Sequence, residues 1–70
     1  MNLEDVKVGT KVMIRDLAGK DEVIRRVEAM GLRRGKSVEV LQKLGRTILV
    51  KLNNSRIVIS KDIAKNISVE

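Results

Sequence analysis

Residues 28–40 read EAMGLRRGKSVEV. Gly31 and Gly35 bracket an Arg-Arg pair, with an amphipathic run before them and an alternating run after. At this corner the hydrophobic period changes from that of a helix to that of a strand. Upstream, Val23, Ile24, Val27 and Met30 recur at helical spacing, while Arg25, Arg26 and Glu28 take the other side. This is a one-sided helix of about ten residues. Asp21 is placed to cap it, with Glu22 in the first turn, where the helix dipole favours an anion. Arg26 lies one turn from Glu22 and can pair with it.

If that helix ends at Met30, Gly31 falls just beyond the cap, where a left-handed backbone is wanted and glycine meets no Cβ clash. Leu32 then packs back on Val27, as such a terminus requires. Arg33-Arg34-Gly35-Lys36 makes a second turn, with Gly35 at its positive-φ position. Gly31, Leu32 and Gly35 therefore have a complete structural explanation. A phosphate cradle would set its glycines before a helix N-terminus, and these follow a C-terminus, whose dipole end repels anions.

Downstream, the period changes to two. SVEVLQKL places Val38 and Val40 on one face, and TILVKL alternates Ile48, Val50 and Leu52 with Thr47, Leu49 and Lys51. Asn53-Asn54-Ser55 is a hairpin turn leading into RIVIS, with Ile57 and Ile59 inward. KDIAKN holds one helical turn, and ISVE closes the chain through Ile67 and Val69. Before the helix, KVMIR turns Val12 and Ile14 to one face, and DLAGKD is a loop. About five short strands and one short α-helix make a mainly β chain. A flat sheet of this size would leave long edges open, so we expect a small, curled, partly open barrel. The expected core is Val12, Ile14, Val23, Val27, Met30, Leu32, Val38, Val40, Ile48, Val50, Ile57, Ile59 and Ile67.

Composition narrows the function. Seventy residues make one small domain, expected to span residues 1–70, with a stability of roughly 3–5 kcal/mol. There is no Cys and no His, so disulfides, a zinc site and an iron–sulfur cluster held by this chain are not expected. The same absence removes the common general bases and thiol nucleophiles, and an enzyme is not expected. The carboxylate pairs Glu4/Asp5 and Asp21/Glu22 lack a third ligand, and neither a metal nor a cofactor is assigned. No apolar run exceeds four residues and the N-terminus has no signal-like core, so we expect a cytoplasmic protein without membrane insertion.

Fifteen Lys+Arg against nine Asp+Glu give a net charge of +6. That suits nucleic acid, an anionic surface or an acidic protein face. Phe, Tyr and Trp are all absent, which removes the stacking platforms of single-strand binders and the aromatic grooves that hold proline-rich peptides.

The order VIRRVEAMGLRRGKSVEVL, GRTILVKL and RIVISKDIAKNISV resembles the FeoA family. The resemblance runs from Leu3 to Val69. It is most specific at Met30-Gly31-Leu32 with Gly35, and at Ile57 and Ile59 followed by Ala64, Ile67 and Val69. The family often has Pro before the second glycine, where this chain has Arg34. The resemblance implies an SH3-like small barrel, a fold also found as the C-terminal domain of some iron-dependent repressors. It implies a regulatory, non-enzymatic accessory protein of ferrous iron uptake, partnered by the cytoplasmic region of the FeoB transporter.

Two surfaces are candidates for such a partner. Met13, Leu49 and Val58 are apolar on strand faces whose neighbours are charged, so together they would form an apolar patch rimmed by cations. Arg33 and Arg34 project from the turn, and Arg25 on the helix would extend that basic surface. The competing readings are a small basic nucleic-acid-binding barrel and a stand-alone repressor-type regulatory domain. Dispersed charge and missing aromatics count against the first, and specific nucleic acid is not expected. The second needs a DNA-reading helix, and the single helix is committed to the core. Short barrel edges can pair between chains, so a homo-oligomer stays open.

Overall fold

The computed structural model describes residues 1–70. Strands β1 (Lys11–Leu17), β2 (Ser37–Leu44), β3 (Thr47–Leu52), β4 (Ser55–Ser60) and β5 (Ile67–Val69) form one antiparallel sheet in the order β4-β3-β2-β1-β5. Helix α1 (Asp21–Ala29) joins β1 to β2, and the one-turn helix α2 (Lys61–Ala64) joins β4 to β5. A 3-10 turn at Leu3–Asp5 precedes them. The sheet curls without closing, since no ladder joins β4 to β5. This is the mainly β, partly open small barrel expected from the periodicities.

The corner at residues 28–36 folds as its residues dictate. Gly31 N–H donates to Glu28 O at 2.9 Å and Leu32 N–H to Val27 O at 3.3 Å, which are the paired bonds of a Schellman terminus. Gly31 takes φ 99° and Leu32 is fully buried. The second turn closes through Lys36 N–H to Arg33 O at 3.1 Å, with Gly35 at φ 83°. The β3–β4 hairpin turns on Asn53-Asn54 with Asn53 at φ 56°, and Ser55 already belongs to β4.

Local expectations fail at the start of α1. Asp21 is the first helical residue rather than the cap; Lys20 holds the cap position and no side chain bonds there. Glu22 and Arg26 form no pair, for the one ion pair of the chain joins Arg34 to Asp16. Strand β1 also runs two residues past Arg15, because Asp16 and Leu17 find partners in Ser68 and Ile67 of β5 across a bulge.

The core is one cluster of fourteen buried apolar residues, with no buried polar or charged residue. Every expected core residue is in it or packed against it. Leu3, Val6, Leu52, Ala64 and Val69 join them. Leu3 and Val6 tie the N-terminal segment to the core beside β5 and α2. There Asn2 bridges Ser68 and Val69 N–H donates to Met1 O at 3.0 Å.

Candidate functional site

The face of β2, β3 and β4 turned away from the core carries three side-chain rows fixed by the register. Lys11, Glu39, Lys51 and Arg56 make the first, Gln42, Leu49 and Val58 the second, and Leu44 and Thr47 with Ser60 the third. Leu49 and Val58 face each other directly, with Val58 63% exposed and Leu49 half-buried. They belong to a wide-spaced pair, in which side chains approach most closely. Leu44, 69% exposed, lies one row on, and the five residues Gln42, Leu44, Thr47, Leu49 and Val58 line a shallow depression of about 150 Å³.

Leu44 arrives there because of a β-bulge. The register shifts between Val40 and Gln42, so the alternation begun by Val38 and Val40 inverts. Lys43, not Leu44, turns inward opposite Ile48, and its Nζ donates to Glu4 O at 2.6 Å. Sequence alternation alone places Leu44 inside; the bulge sets it beside Leu49 and Val58.

Met13 does not join them. It pairs with Ser37, the first residue of β2, separated from the Leu49–Val58 row by the charged row and by strand β2. It is 39% exposed.

The two arginines of the turn are held locally. Arg34 places Nη2 2.8 Å from Asp16 Oδ1 and donates from Nε to the same oxygen at 3.1 Å. Arg33 donates from Nε to Glu28 O at 3.1 Å, satisfying a carbonyl at the negative end of α1. Asp16 also accepts from Leu17 N–H at 2.9 Å. That backbone bond first, and the Arg34 guanidinium second, hold its carboxyl below the ordinary aspartate value. A groove lined by Asp16, Leu17, Ile24, Glu28, Arg33 and Arg34 separates the turn from α1. Arg25 is exposed on the helix outside this groove.

No three carboxylates come together within reach of one ion. No helix is long and apolar enough to cross a membrane. What the surface offers is an apolar strip on an open sheet edge, bordered by cations.

The FeoA domain family matches this chain over residues 1–70. No curated protein sequence matches it significantly. Among solved structures, iron(II) transport protein A of Clostridium thermocellum is 29% identical with a TM-score of 0.93; the match covers 100% of this chain and 44% of that one. The FeoA protein of Chlorobium tepidum is 30% identical with a TM-score of 0.90, covering 100% of this chain and 69% of that one. FeoA of Stenotrophomonas maltophilia, a prokaryotic SH3 domain protein solved with zinc, is 25% identical with a TM-score of 0.82, covering 100% and 89%. The chain thus spans less than half of the first relative and most of the other two.

Proposed function

This chain belongs to the FeoA domain family, and from that premise we propose that it is a non-enzymatic accessory module of ferrous iron transport. It acts by protein–protein contact with the cytoplasmic region of a FeoB-type transporter, and residues 1–70 serve as one unit. The observation that carries this reading is the exposed Leu44–Leu49–Val58 strip on a barrel of the FeoA family. Apolar area ringed by charge is what a protein interface requires. The S. maltophilia relative, a candidate ferrous iron transport activating factor, supports the same role. The sequence itself supports a role without chemistry, since it holds neither His nor Cys.

The test is binding of the purified domain to the detergent-solubilised transporter at low and near-physiological salt, with a random DNA duplex alongside. The reading expects saturable transporter binding that survives salt. The double variant Leu44→Asp/Val58→Asp should weaken it about tenfold or more while keeping the fold. Binding to DNA alone, falling by about 0.9 log units per phosphate neutralised for each tenfold rise in salt, would overturn it in favour of a nucleic-acid-binding barrel.

A further inference from the structure

The two edges of the sheet are treated differently. Strand β5 has three residues, and its outer side is covered by Met1 and Asn2. Strand β4 has six residues, pairs with β3 without a register shift, and has no strand on its other side. An exposed edge is usually blunted by a bulge, a proline or a cover. The β4 edge has no bulge and no proline, no strand pairs with its outer side, and its one charged residue is Arg56.

The register identifies the free groups. The two-residue turn at Asn53-Asn54 makes Leu52 and Ser55 the closing hydrogen-bonded pair. Alternation then makes Val50–Ile57 and Ile48–Ile59 bonded pairs as well. The N–H and C=O groups of Arg56 and Val58 therefore point away from the sheet. Neither residue has a partner among the turn and loop hydrogen bonds.

The charge around this edge is mostly positive. Arg46, Lys51, Arg56, Lys61 and Lys65 surround β4 and its ends against Glu4 and Asp62, and none of these residues is in an ion pair. A second copy would bring the same excess to the same edge, on a chain already at +6. An acidic strand would meet it with opposite charge.

We propose that the open edge of β4 receives an extended acidic segment of a partner polypeptide as a sixth strand. Its backbone bonds to Arg56 and Val58, its apolar side chains continue the Leu49–Val58 row, and its carboxylates face Arg56, Lys51 and Arg46. Main-chain bonds hold such a segment, and alternate side chains select it. This deepens the proposed transporter contact and rests on that reading for the partner's identity.

The probe is the peptide acetyl-ETVTETE-amide, whose one face carries Val beside Val58 between carboxylates that meet Arg56 and the cations at the strand end, with acetyl-KTVTKTK-amide as control, titrated into the isotope-labelled full chain. Amide exchange and cross-strand contacts are read by NMR. The acidic peptide is expected to slow exchange at Arg56 and Val58 and to give contacts to β4, and the basic one to do neither. Val58→Pro removes the outward N–H, and Arg56→Glu reverses the charge. Each should weaken peptide binding about tenfold, the effect of one lost interface hydrogen bond or ion contact. Both variants are checked for an unchanged amide spectrum elsewhere, and either alone suffices.

An acidic peptide that leaves both amides unprotected overturns the proposal. So does protection that rises with protein concentration without peptide, which would give the edge to a second copy. Transporter binding unaffected by both variants refutes strand addition and leaves the transporter contact standing. Peptide pairing without any transporter binding does the reverse.

Discussion

A Cβ added at Gly31 would lie 2.8 Å from Leu52 Cδ2, so the helix terminus and the end of strand β3 share one space. Gly31 at φ 99° already disfavours other residues on backbone grounds. Leu52 is buried, so its methyl moves only by disturbing the core. Gly31→Ala is expected to lose about 1–2 kcal/mol to the left-handed backbone, plus a further share for displacing Leu52. Gly31→Val should leave the domain largely unfolded at room temperature, given a total stability of roughly 3–5 kcal/mol. Urea denaturation followed by circular dichroism checks both. A Gly31→Val domain that melts like the parent would refute this account of the corner.

The Leu49–Val58 pair makes a prediction about how the strip should be probed. Carboxylates at both positions would oppose each other directly across a wide-spaced pair and repel. Leu49→Asp/Val58→Asp is therefore expected to be less stable than Leu44→Asp/Val58→Asp, whose members sit in different rows. The difference should be about 1 kcal/mol, partly from half-buried Leu49 and partly from repulsion that fades with salt. Urea midpoints of the two double variants at low and high salt measure it.

Why the corner could be read and the strip only in part follows from the range of the interactions. Gly31, Leu32 and Val27 meet within six residues, so their spacing carries the whole motif. The alternations of β3 and β4 were legible because they contain no bulge. Leu44 was not, since the bulge after Val40 is set by pairing with β3 rather than by any residue of β2. Met13 looked equivalent to Leu49 by alternation, and only the ladder shows them two rows apart. The extension of β1 to Leu17 depends on β5, about fifty residues away in sequence. Leu3 and Val6 lie in a segment too short for any period, and burial there comes wholly from tertiary packing.

Ser60 Oγ accepts a hydrogen bond from Ile63 N–H at 3.1 Å and so caps α2. The helix has four residues, and it brings fully buried Ala64 into the core. Ser60→Ala is expected to cost about 1 kcal/mol, the usual loss for a missing cap. Because Ala64 ties the turn to the core, the loss should appear in the global urea midpoint. Faster amide exchange at Ile63 with an unchanged midpoint would show instead that α2 frays on its own.

Arg34 occupies the position before Gly35 where proline presets the backbone of such a turn. Its N–H makes no turn or loop hydrogen bond, so proline forfeits no backbone partner. Arg34→Pro should gain about 0.4–1 kcal/mol by restricting the unfolded chain, less whatever the contact with Asp16 contributes. In an Asp16→Asn background that deduction shrinks, and the gain from Arg34→Pro should be larger. A cycle of thermal melts over the four proteins tests this; an equal gain in both backgrounds would mean that the ion pair contributes nothing.

Asp16 also predicts the acid limb of the stability curve. Its carboxyl is depressed in the folded chain, first by the Leu17 N–H and then by Arg34. A depressed acid binds protons less readily folded than unfolded. Its stabilisation is therefore present above the ordinary aspartate value of about 3.9 and is lost as the pH falls through the folded value. Asp16→Asn keeps an oxygen for the Leu17 N–H but removes the charge. The stability gap between parent and Asp16→Asn should thus be widest near neutral pH and close on acidification. Arg34→Gln should raise the Asp16 titration midpoint only partway, since the Leu17 backbone bond remains, and added salt should weaken the Arg34 and Arg15 shares but not the backbone one. Carboxyl-carbon NMR titrations of Asp16 in the parent and in Arg34→Gln measure this, and full return to the ordinary value in Arg34→Gln would mean that the Leu17 backbone bond contributes nothing.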